Sequence, residues 1–171
     1  MLSDIQVYVS VWLALAGWFA GSGCRALGRR GRRGTTEVLY RYAWLFGAVM
    51  IVLHIIASYA ITYQWSHAAA VEATAEESQR VTGIRAGWGV YVNFAFATVW
   101  LGYSFAMIRA GRRLPGFDPG VFWFTAAIVF SATVIFEAGA IRRIALGGFA
   151  LLIVLGRCRQ WGSEGNWYPR T

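Results

Sequence analysis

Long apolar blocks separated by short loops rich in arginine fix what this chain can become. The blocks run 5–27, 42–65, 88–108, 121–139 and 140–156. A bilayer's hydrocarbon core is about 30 Å thick and takes about 20 apolar residues to cross as a helix. Water is absent there, so the backbone must satisfy its own hydrogen bonds, which blocks of this length do as helices. The expected fold class is all-α: a transmembrane helical bundle of four to five helices, N-terminus outside, in one domain over 1–160. A soluble protein with deeply buried helices is the competing reading. It fits poorly, because only 14% of the residues are charged, against about a quarter in soluble domains.

The 16 basic residues are all arginine and leave a net charge of +8. In a soluble chain this balance would point to nucleic acid. Here Arg25, Arg29, Arg30, Arg32, Arg33 and Arg41 flank the first loop, and Arg109, Arg112 and Arg113 open the third. Positive loops stay in the cytoplasm, so these residues set topology, and no nucleic-acid partner is expected. The segment 66–87 then becomes an extracytoplasmic loop. MLSDIQVYV has no basic residue ahead of the first apolar block, which reads as a retained helix and not a signal peptide. Gly17 and Gly21, with Ala16 and Ala20, permit close helix packing within the bundle or across a homo-oligomer. The expected partners are the lipid bilayer and a second copy or other membrane proteins. The expected location is a bacterial inner membrane.

The last block is ambiguous. Arg142 and Arg143 precede about 13 apolar residues, short for a full span. Arg157 and Arg159 at its far end favour a fifth crossing, which puts the tail 157–171 in the cytoplasm. Without that crossing, the block lies on the outer surface. Trp161, Trp167 and Tyr168 in the tail suit a headgroup layer, and the other aromatics read as interface anchors and lipid-facing bulk. Cys24 and Cys158 belong to no metal-binding pattern and read as small packed residues.

Ser66 can cap a short helix that Gly83 ends. Glu72, Glu76 and Arg80 are spaced to form a solvated ion-pair stripe on it. Two groups of polar residues are candidates for chemistry. His54, Ser58 and Thr62 form a stripe inside the second block. A polar group at that depth must face the bundle, and an interhelical hydrogen bond from a neutral imidazole is the first reading of His54, with a haem ligand or proton relay as alternatives. His54 and His67 are about 140° apart on an ideal helix, and no third histidine exists. Both points count against a dihaem arrangement, so no cofactor is expected, with haem as the alternative.

The second group gathers where the chain leaves and re-enters the membrane: Ser66, His67, Asn93 and Glu137. A carboxylate in an apolar block calls for a partner, and Arg142, His67 and Asn93 are candidates. His67 and Glu137 alone do not make a metal site, and no metal is expected. HExxH, GxGxxG, a phosphate-binding Walker loop, CxxCH and GxSxG are all absent, so no catalytic residue is assigned.

Two local patterns carry a resemblance. The exit Tyr63-Gln64-Trp65-Ser66-His67-Ala68-Ala69-Ala70 and the re-entry Gly87-Trp88-Gly89-Val90-Tyr91-Val92-Asn93, followed by Trp100-Leu101, resemble a family of uncharacterised bacterial multi-pass inner-membrane proteins. The likeness covers about residues 41–101. It departs at Gly102-Tyr103, where the family has an acidic residue after the tryptophan. It implies location and helix number and carries no activity. The functional expectation is an integral membrane protein, non-enzymatic, whose outer-leaflet polar cluster binds a partner or small ligand. A haem-binding or redox component and a small transporter subunit, its path lined by the His54 stripe, are the alternatives.

Overall fold

The computed structural model describes residues 2–28, 34–137 and 139–164. Its described residues contain no strand. Helices α1 (Leu2–Leu27), α2 (Thr35–Ala57), α3 (His67–Thr82), α4 (Gly89–Ala110), α5 (Asp118–Phe130) and α6 (Gly139–Glu164) follow one another along the chain. Two π-helical turns extend α2 and α5, over Ser58–Thr62 and Ser131–Ile135. Five segments are long and apolar enough to cross a membrane: Ile5–Leu27, Thr35–Thr62, Gly89–Ala110, Asp118–Ile135 and Gly139–Arg157. The fifth block is therefore part of a full-length helix, and Arg142 and Arg143 are exposed in its first turns. The arginine run 29–33 and the tail residues Trp167 and Tyr168 lie outside the described residues, as do the side chains of Cys158, Arg159 and Trp161.

The bundle has two ends. One holds Arg25, Arg113 and the α4–α5 connection; the other holds α3. The α1–α2 pair is the tightest seam. A Cβ at Gly17 would lie 2.7 Å from the Cα of Gly47, and one at Gly47 would lie 2.8 Å from Trp100 Cζ2. Small residues let two backbones approach this closely where burial from water cannot drive helices together. Gly21 similarly opens a slot for the Trp44 ring. The small-residue pair of α1 thus serves packing within the bundle.

Large aromatic side chains fill the space between the helices. Trp18, Trp44 and Trp100 are fully buried, with Tyr40 and Met107 beside them. Trp44 meets Trp100 edge-on at 6.1 Å and stacks near Phe122 at 6.3 Å, arrangements that aromatic quadrupoles favour. The Trp18 indole N–H donates to Thr125 Oγ1 at 3.1 Å and ties α1 to α5. These tryptophans are core, not lipid-facing bulk, which corrects the sequence expectation for them. On all sides these helices are apolar, so composition does not mark which face packs inward.

At the other end, Ser66 Oγ accepts from Ala69 N at 3.2 Å and caps α3, and Gly83 closes it with φ 77°. The ion pairs on α3 differ from the expected stripe: Arg80 pairs with Glu77 and Arg85 with Glu72. Ala70, Ala75 and Ser78 are buried on α3, and Ser78 Oγ donates to Ile84 O at 2.8 Å in the connection to α4.

Candidate functional site

The α3 end is built around two irregular helix ends. Each π turn starts at a serine and carries an i to i−5 bond: Tyr63 N to Ser58 O and Phe136 N to Ser131 O, both 3.1 Å. Such turns insert one residue into a helix and recur at functional sites. After the first turn the chain reverses through Gln64 and Trp65, with φ of 47° and 61°. Left-handed backbone at two successive non-glycine residues is strained and is held by surrounding contacts. Here Trp65 N donates to Tyr59 O at 2.8 Å and Ser66 N to Tyr63 O at 2.8 Å.

Between α1, α2, α4 and the second π turn lies a cavity of about 510 Å³, within the range typical of small-molecule sites. Its deeper wall is apolar and includes Leu15, Trp18, Phe96, Trp100 and Val129. Toward α3 it is lined by His54, Ser58, Asn93, Thr133 and Glu137. Five polar residues from three stretches of chain line this end of the space, Asn93 and Glu137 among them exposed. Two come from the expected His54 stripe and two from the expected outer cluster.

His54 is half-buried. Its Nδ1–H donates to Val7 O at 3.0 Å, and Ser10, which donates to the same carbonyl at 2.9 Å, lies 3.4 Å from Nδ1. The expected interhelical hydrogen bond is therefore made to the backbone of α1. In the neutral ring this fixes Nε2 as an acceptor. Thr133 Oγ1 donates to Val129 O at 2.7 Å. The side chains of Ser58 and Asn93 have no hydrogen-bond partner among the described residues. The Glu137 carboxylate has no ion pair within 4 Å among them. Arg142, named as a possible partner, donates to the Glu137 backbone carbonyl at 3.0 Å instead.

The remaining sequence candidates fall outside this space. Thr62 is exposed and does not line the cavity, and Ser66 is occupied as a cap. His67 sits beside it, its Nδ1 3.0 Å from Tyr59 Oη and its Nε2 3.0 Å from Tyr91 Oη. In a neutral ring one of these nitrogens donates and the other accepts. Tyr59 and Phe94 flank His67 and also line the cavity, so the two share a wall. No group of three or more His, Cys, Asp or Glu side chains that could hold a metal occurs among the described residues.

The opposite end holds a constellation that the sequence reading missed. Asp118, at the start of α5, accepts from Arg25 Nε at 3.1 Å and Nη2 at 2.7 Å through Oδ2. Its Oδ1 accepts from Tyr40 Oη at 3.1 Å and Tyr103 Oη at 2.9 Å. The Arg25 guanidinium also lies 4.0 Å over the Phe122 ring. Next to it Arg113 bonds Glu37 at 2.8 Å and lies over the Tyr40 ring. Four helices are fastened here by a fully satisfied buried carboxylate. The available signal was an acid directly before Pro119 at the head of an apolar block, a place where helices begin. Compared with protein-family models, with curated proteins and with solved structures, the chain shows no match.

Proposed function

We propose that this protein is a non-enzymatic integral membrane protein that binds a small, largely apolar ligand in the cavity at its α3 end. The carrying observation is the convergence of His54, Ser58, Asn93, Thr133 and Glu137 on one end of an apolar space of ligand size. Polar groups at membrane depth are costly unless they serve packing or a site. Ser58 and Asn93 make no side-chain hydrogen bond within the described protein, which leaves them available to a ligand.

The α3 end faces the outside of a bacterial inner membrane, and the N-terminus lies on that side. Charge distribution supports this orientation. Near α3, the arginines 80, 85, 142 and 143 are balanced by glutamates 72, 76, 77 and 137; the other end carries a large arginine excess. A Thr82→Cys variant lacking Cys24 and Cys158 should react with a membrane-impermeant maleimide in intact cells; protection until lysis would reverse the orientation.

Ligand binding is tested by extracting co-purifying small molecules from the wild type and from Ala132→Phe, which adds a ring to the cavity wall. Mass spectrometry should find a species with the wild type that is depleted in the variant, while both unfold cooperatively. Equal recovery from both would remove the cavity as the site.

A further inference from the structure

We infer, building on the cavity as the ligand site, that its occupant is a single-chain amphiphile whose head donates hydrogen bonds, a primary ammonium or a hydroxyl, received by Glu137. The argument rests on which hydrogen-bonding roles the lining residues still have open. Nδ1–H of His54 is committed to Val7 O, so Nε2 offers a lone pair. The Thr133 proton is committed to Val129 O, so Oγ1 likewise offers lone pairs. An ionised Glu137 can only accept. Ser58 and Asn93 can take either role. Three acceptors are therefore open beside Ser58, Asn93 and Tyr63, which can take either role, and a ligand that brings donors can be met by all of them.

Two cations at this end already have partners. Arg80 holds Glu77 through Nε at 2.9 Å, and Arg142 Nε is bonded to the Glu137 backbone carbonyl. A carboxylate or phosphate head would approach a like charge on Glu137 and two lone-pair donors, with only neutral Ser58, Asn93 and Tyr63 to donate to it. An ammonium would instead gain the carboxylate and the faces of Tyr59, Tyr63 and Phe94, which line the same region. The wall beyond them, from Leu15 to Trp100, is apolar and suits a single hydrocarbon chain.

Three probes with one chain length separate the possibilities: dodecylamine, dodecanol and dodecanoate, titrated against the full-length protein in a maltoside detergent and read by native mass spectrometry. The amine and the alcohol should bind the wild type, with dodecanoate weaker by about tenfold, the scale of a lost charge-assisted hydrogen bond. Glu137→Gln should weaken dodecylamine by about tenfold and change dodecanol by less than about threefold. Ala132→Phe should abolish all binding. If dodecanoate matches the amine, or Glu137→Gln leaves the amine unchanged, while Ala132→Phe still abolishes binding, the head-group assignment is overturned and the cavity reading stands. If no probe binds, or binding survives Ala132→Phe, the cavity reading itself fails. Melting curves of both variants exclude misfolding as the cause of a loss.

Discussion

Arg25 Nη2 lies 2.7 Å from Asp118 Oδ2, joining the end of α1 to the start of α5 across 93 residues of chain. Removing one partner of a buried pair leaves the other charge without compensation, at a cost of about 3–5 kcal/mol. Asp118→Ala should therefore lower stability by about 3 kcal/mol or more in detergent unfolding. Asp118→Asn retains an acceptor for Tyr40 and Tyr103 and should lose less. Replacing Arg25 and Asp118 together by leucine should be milder than Asp118→Ala; a larger loss would mean the pair stabilises by more than mutual compensation.

Gly47 has no room for a side chain. A Cβ there meets both Trp100 and the Ala14 carbonyl. Gly47→Leu should destabilise the bundle by about 1–3 kcal/mol, the usual scale of overpacking, or more if α1 separates from α2. Gly102, with nothing within 4 Å of its built Cβ, is the matched control. Gly102→Ala should leave unfolding unchanged or slightly delayed. Equal effects at both positions would show that the α1–α2 seam is looser than 2.7 Å contacts imply.

His67 bridges two tyrosines on different helices, near the surface. His67→Ala removes both hydrogen bonds, and exposure limits the global effect to about 1 kcal/mol. The clearer consequence is local. Trypsin should cut at Arg80 or Arg85 faster in His67→Ala, because α3 loses a tether to Tyr59 and Tyr91. Tyr91→Phe should give a smaller acceleration in the same direction. Unchanged cleavage in both would mean that α3 is held by its contacts with α4 alone.

Ser66→Ala removes the α3 cap, worth about 1 kcal/mol. Hydrogen exchange should accelerate at Ala69 and its neighbours and remain unchanged in α4. Gly83→Ala should act from the other end of α3, because φ of 77° is strained for any residue with a Cβ.

Different parts of the molecule were legible to different degrees. The membrane helices could be read because a bilayer demands a minimum apolar length, and each block meets it once flanking residues are included. Ser66 and Gly83 could be read because capping is local chemistry. The burial of Trp18, Trp44 and Trp100 could not, since a helix apolar on every side carries no mark of its packing face. Nor could the Asp118 network, whose members come from four separated segments. The angle of about 140° between His54 and His67 holds only for an ideal helix. The π turn at Ser58–Thr62 and the reversal at Gln64–Trp65 break that geometry, although the two histidines do bind different partners.

The Gly17–Gly47 seam also bears on the order in which the molecule is made. Its two helices are neighbours in the chain, joined by the short stretch between Leu27 and Thr35. Contacts this local form early, and N-terminal parts of a chain are synthesised first. α1 and α2 can thus settle as a hairpin in the bilayer before α4 has left the ribosome. Trp100 and Asp118, arriving later, find the face against Gly47 and the Arg25 guanidinium already in place. On this schedule, the first third of the protein is a template for insertion of the rest.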